Sequence, residues 1–128
     1  MLLYGIYTNG NSSSAQFNVY GNDINGMTNS SAVATNIINL NSCLISFYRN
    51  KIYNIQSTNA SGQVYGIGCT GLISGSMVYN NIIGDLKTPS SANTDAVRGI
   101  YIASGNVGVY FNSIYLTASS TAATFGSD

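Results

Sequence analysis

The chain has 128 residues, of which 6% are charged, and it contains no His and no Trp. Its formal net charge of zero supplies no electrostatic footprint for nucleic acid or an anionic membrane surface. The length sets a prior of one domain, and no run of about 18 apolar residues is present to span a bilayer as a helix.

Asn, Ser, Thr and Gly carry the polarity. Low net charge gives weak colloidal stability, so association is expected. The opening "MLLYGIY" lacks the basic start, long apolar run and cleavage site of a secretory leader. Cys43 and Cys69 leave two readings open, one disulfide or two small buried thiols.

In chain order, the first repeat opens on Gly5 and Ile6 and crosses a polar stretch. Phe17, Asn18 and Val19 then alternate apolar and polar, as in a strand with one buried face. "VYGNDI" (19–24) follows, then Met27. The second repeat has Asn36 and Ile37, the alternating Ile45-Ser46-Phe47, "FYRNKI" (47–52) and Ile55. The third has Gly66 and Ile67, "VYNNII" (78–83) and Leu86. The fourth has Gly99 and Ile100, Val107-Gly108-Val109 and "VYFNSI" (109–114). It departs afterwards, with Thr117 in the apolar place and Leu116 one position early. "TFGSD" at the end echoes the Gly column through Gly126.

The repeats span about 4–31, 33–62, 64–95 and 97–121, and their hexad Asn residues are 28, 31 and 31 apart. Variable polar loops separate them, so loop length changes while the apolar columns hold. Periods of about 20–50 residues indicate a solenoid, propeller or array. No window carries helical apolar spacing, and a propeller blade needs four strands in about 40–45 residues. About three short strands per repeat predict one coil of a parallel β-helix. The expected fold is therefore all-β, a solenoid of about four coils of about 30 residues forming one domain over 1–128.

The string x-Val-Tyr-x-Asn-x-Ile, followed by a polar loop and Gly-Ile-Tyr, resembles the right-handed parallel β-helix repeat of the pectate-lyase-like superfamily. The likeness covers essentially the whole chain, and its Asn/Ser/Thr-rich style is similar to repeats of large secreted or surface bacterial proteins. It implies three parallel sheets per coil and an asparagine ladder. It also implies an extracellular or cell-surface location.

Stacked coils place equivalent residues about 4.8 Å apart. Val19, Phe47, Val78 and Val109 are expected to form one inward column, and Ile24, Ile52, Ile83 and Ile114 another. Asn22, Asn50, Asn81 and Asn112 are expected at the bend, in the left-handed conformation that Asn tolerates, with amides bonded from coil to coil. Tyr20, Tyr48, Tyr79 and Tyr110 follow inward residues and are expected to face outward. That stripe reads either as stacking that covers a sheet or as a surface for sugar rings or a neighbouring domain. Tyr4, Tyr7, Tyr65 and Tyr101 suggest a second aromatic strip.

Glycosidase chemistry requires two carboxylates about 5–10 Å apart. Asp23, Asp85, Asp95 and Asp128 lie at different repeat offsets, and His, the commonest general base, is missing. Arg49, Lys51, Lys87 and Arg98 scatter likewise, with Asp23 a candidate partner for Arg49 or Lys51. No catalytic, cofactor or metal site is expected. The function expected is structural, as a stalk, adhesin or filament module, with a carbohydrate-binding or polysaccharide-degrading β-helix as the alternative. Without a visible cap, the ends are expected to meet a second copy end to end or further coils of a longer chain. Polysaccharide is the other expected partner, and nucleic acid is not expected.

Overall fold

The computed structural model describes residues 3–10 and 15–127. Apolar residues at alternate positions, interrupted by Gly, Asn and Ser, form thirteen short strands and no helix among the described residues. The first rung holds β1 (Ile6–Asn9), β2 (Gln16–Tyr20) and β3 (Asp23–Asn29). The second holds β4 (Thr35–Asn41), β5 (Leu44–Tyr48) and β6 (Lys51–Ser57). The third holds β7 (Val64–Thr70), β8 (Leu72–Tyr79), β9 (Ile82–Gly84) and β10 (Leu86–Lys87). The fourth holds β11 (Val97–Ile102), β12 (Gly105–Tyr110) and β13 (Ser113–Tyr115).

Every strand pair is parallel and joins neighbouring rungs. The first sheet runs β1-β4-β7-β11, the second β2-β5-β8-β12, and the third carries β3, β6, β9 with β10, and β13. The result is a parallel β-solenoid of about three complete turns, each of roughly 31 residues.

Stacking puts like on like. Phe47 lies in register with Val19 and Val78, and Val78 with Val109. Ile52 lies in register with Ile24 and Ile83, and Ile83 with Ile114. Phe47, Val78, Ile52 and Ile83 are fully buried, whereas Val109 is 40% and Ile114 45% exposed. A rung buries its inner face only when another rung covers it. Each buried aliphatic side chain contributes about 1.5–3 kcal/mol, so the stability resides in the central rungs.

Three details differ from the sequence reading. The isoleucine column of the first sheet is Ile6, Ile38, Ile67 and Ile100, so Ile38 replaces Ile37. Ile37 falls instead in the glycine column, between Gly5 and Gly66. The alternation breaks there, and both Ile37 and Ile38 are fully buried. The glycines of this column admit the isoleucines of the third sheet. A Cβ on Gly99 would stand 2.6 Å from Ile114 Cγ2, and one on Gly66 2.8 Å from Ile83 Cγ2.

The second difference lies in the backbone. The left-handed residue at the corner is not the ladder Asn but the one before it. Gly21 (φ 70°), Arg49 (55°), Asn80 (55°) and Phe111 (56°) hold this place. Non-Gly residues lose about 1–2 kcal/mol there, and the amide bonds described below offset that loss. A further left-handed column, Gly26, Asn54 and Asp85, explains why a second inward residue follows the hexad Ile of the first three rungs by three places rather than two. At Asp85 the kink divides the third rung's last strand into β9 and β10.

The third difference is at the end. Ser127 bridges to Val97, which begins a fifth rung. Gly126 therefore precedes the glycine column by three positions instead of belonging to it. Its carbonyl accepts from the N–H groups of Ala96 and Val97.

Candidate functional site

The sequence singled out two columns, and both lie at the corner between the second and third sheets. Asn22 Nδ2 donates to Asn50 Oδ1 at 2.8 Å, Asn50 Nδ2 to Asn81 Oδ1 at 3.0 Å, and Asn81 Nδ2 to Asn112 Oδ1 at 2.9 Å. The backbone N–H groups of Asn22, Asn50 and Asn81 donate to the same oxygens at 3.0–3.1 Å. The remaining amide proton points back one rung: Asn50 to Val19 O, Asn81 to Phe47 O and Asn112 to Val78 O. Asn50 and Asn81 are buried and fully engaged. These four amides hold the corner and leave no donor for a ligand in the two middle rungs.

Tyr20, Tyr48, Tyr79 and Tyr110 stand outside the same corner as one continuous stack. Centroid separations are 5.0, 4.9 and 5.3 Å, with interplanar angles of 12°, 9° and 15°. Phe111 packs edge-on against Tyr110 at 5.6 Å. The faces between successive rungs are therefore occupied by one another, and Tyr20, at the end of the stack, is exposed with one ring partner among the described residues. Sugar binding uses an open ring face, which the two middle rings, Tyr48 and Tyr79, do not offer.

The other tyrosines form two pairs, Tyr4–Tyr7 and Tyr65–Tyr101, each at 5.1 Å. No ring contact joins the pairs among the described residues, because the second rung carries Asn36 and Asn39 at those places. Arg98 lies over Tyr101 at 4.2 Å and Tyr65 at 5.3 Å and pairs with Asp95.

The carboxylates take separate local partners. Asp85 pairs with Lys87 at 2.8 Å, and Asp23 accepts from Asn25 Nδ2 at 2.7 Å. Asp128 lies outside the described residues. Asp23 is in register with Lys51, yet neither Lys51 nor Arg49 forms an ion pair among the described residues. No group of three or more potential metal-ligating residues occurs among the described residues.

Cys43 and Cys69 are free and buried. Burial, and then the neighbouring Cys43, push the Cys69 thiol up from 9.0 to about 12. The fold therefore favours the neutral thiol. Its contribution to stability is complete below about pH 9 and is lost as the pH rises toward 12. Tyr65, raised first by its burial and then by Asp95, adds in the same direction. The urea midpoint is expected to hold from neutrality to pH 9 and to fall above it. A midpoint that rises through that range would contradict this burial.

Sequence reasoning missed two columns. Asn29, Ser57 and Thr88 follow the ladder Asn by seven places and stack in the buried corner after the third sheet. That constant offset was the available signal. The other column is Asn25, Tyr53, Gly84 and Tyr115, three places after each ladder Asn on the outer face of the third sheet. Tyr53, Gly84 and Tyr115, with Lys51, Ile82 and Ser113, line a groove of about 360 Å³. Its residue types vary from rung to rung, so no repeated letter marks it.

Comparison with protein-family models gave no match, and comparisons with curated proteins and with solved structures gave none either.

Proposed function

We propose that this chain is a non-catalytic structural module, a stacked-rung segment of an extracellular or bacterial cell-surface stalk, adhesin or filament. The observation that carries this reading is the polarity of the amide ladder between two open ends. Every Asn-to-Asn bond of the ladder runs from an Nδ2–H on the lower-numbered rung to an Oδ1 on the higher. At one end Asn22 Oδ1 accepts no bond from the described residues. At the other, Asn112 turns its Nδ2 to Val78 O and Tyr110 O, and among the described residues its backbone N–H has no side-chain acceptor of the kind the three earlier rungs have. A second copy stacked head to tail would join donor to acceptor and cover Val109 and Ile114, and further rungs of a longer chain would do the same. Such a contact is heterologous and does not close.

A parallel solenoid with an amide ladder at one corner supports a place in the pectate-lyase-like superfamily. Right-handedness is supported by the near-universal hand of parallel crossovers. A surface polar through Asn, Ser and Thr supports exposure outside the cell.

Sedimentation and electron micrographs over a concentration series test the assembly. Rods that lengthen with concentration are expected, without turnover of polyuronides. Cleavage of a polyuronide by the purified chain would overturn the non-catalytic reading. Particles that remain one copy long at every concentration would overturn self-assembly.

A further inference from the structure

We propose that the groove around Gly84 is a binding slot for one planar aromatic ring carrying an anionic group. The argument starts from rung spacing. Tyr115 is in register with Gly84, and Tyr53 stands opposite Gly84 one residue beyond the Ile52–Ile83 pair. The two tyrosines are thus two rungs apart, about 9.6 Å at the usual strand separation. A ring midway would lie about 4.8 Å from each. The molecule shows the same arrangement filled on the neighbouring corner, where successive tyrosines stack at 4.9–5.3 Å. The outer column of the third sheet is that stack with its middle ring left out.

Both walls are available. Among the described residues neither Tyr53 nor Tyr115 has a ring partner, and Tyr115 is 70% exposed. Asp23 lies against the Tyr53 hydroxyl, which anchors that ring from the first rung. The floor is the Gly84 backbone flanked by Ile82, itself 54% exposed. A floor and walls of this kind match the faces of an aromatic ring. One rim is Lys51, a cation without an ion pair among the described residues. Of the two nearby carboxylates, Asp85 is neutralised by Lys87, and Asp23, one rung below Lys51 and outside the lining, is engaged by Asn25 and the Tyr53 hydroxyl. The charged group that lines the slot without an ion pair among the described residues is therefore Lys51, and it selects an anionic substituent on the ring. The slot opens sideways from the solenoid axis, so it does not depend on end-to-end assembly.

Gly84 also supplies the test. A Cβ there would meet nothing closer than Tyr115 O at 3.4 Å, so a side chain fits. Gly84→Tyr places a ring in the gap from within. Titration of the purified chain with 2-naphthoate, followed by fluorescence anisotropy, is expected to show saturable binding. Gly84→Tyr is expected to weaken it by about tenfold or more, the loss of ring stacking, while the protein melts no lower than the parent. Tyr115→Ala, which creates no new contact, is expected to weaken it similarly. Lys51→Gln is expected to remove the preference for 2-naphthoate over 2-naphthamide. Tyr20→Ala, in the filled stack, is expected to leave affinity unchanged. Absence of saturable binding would overturn the proposal. So would Gly84→Tyr and Tyr115→Ala variants that bind as the parent does, or a slot that takes neutral oligosaccharides in preference to the aromatic acid.

Discussion

Asn50→Leu is expected to lower the unfolding free energy by about 3–5 kcal/mol, because it strands two or three polar groups at about 1–3 kcal/mol each. Tyr48→Ala, which removes two ring pairs on the surface, is expected to lower it by only about 1–2 kcal/mol. The Asn50 amide accepts from Asn22 N and Nδ2 and donates to Asn81 Oδ1 and Val19 O. Leucine has nearly the same volume and none of these bonds. Its added apolar burial recovers little, because the corner backbone is left without partners. The left-handed Arg49 also loses the bonds that hold it. Asn112→Leu, at the open end of the ladder, is expected to lower stability by about 1 kcal/mol, since water reaches its neighbours. Urea unfolding of the three variants at neutral pH measures the order. Equal midpoints for Asn50→Leu and Tyr48→Ala would contradict the ladder as the main polar support of the corner.

The hexad was legible because stacking forces identical residues into columns, and columns appear in sequence as a period. Val19 through Val109 and Ile24 through Ile114 could be placed from spacing alone, and the parallel solenoid follows from them. Ile37 could not be placed. "Asn-Ile-Ile" offers two adjacent residues of the same type, and the choice is made by backbone pairing of Thr35 with Val64 and Ile38 with Ile67. Local preference also misassigned the left-handed residue. Asn tolerates that conformation better than Arg or Phe, but the side chain at the next position makes the inter-rung bonds, so tertiary bonding overrides propensity. The aromatic slot was illegible for a different reason. It depends on a missing side chain at Gly84 between two present ones, and an absence does not repeat.

The glycine column gives the other large expected effect, and it isolates space from conformation. Gly66 and Gly84 both lie in strands, and neither has a positive φ. The same substitution, Gly→Ala, is therefore compatible with both backbones. At Gly66 the new Cβ would stand 2.6 Å from Gly99 O and 2.8 Å from Ile83 Cγ2. Gly99 O belongs to the next rung, so relief requires the rungs to separate or the Ile83 column to retreat from the first sheet. Overpacking of this kind in a dense core costs about 1–3 kcal/mol, and involvement of backbone puts Gly66→Ala near the upper end. At Gly84 the Cβ meets only ordinary van der Waals contacts, with Tyr115 O at 3.4 Å and Tyr115 Cβ at 4.0 Å, and replacing a strand glycine gains about 0.5–1 kcal/mol from reduced freedom of the unfolded chain. The two variants are thus expected to move the urea midpoint in opposite directions. Parallel shifts would mean that Gly66 does not face the third sheet, and that the packing between the Gly66 and Ile83 columns is not what closes this side of the solenoid.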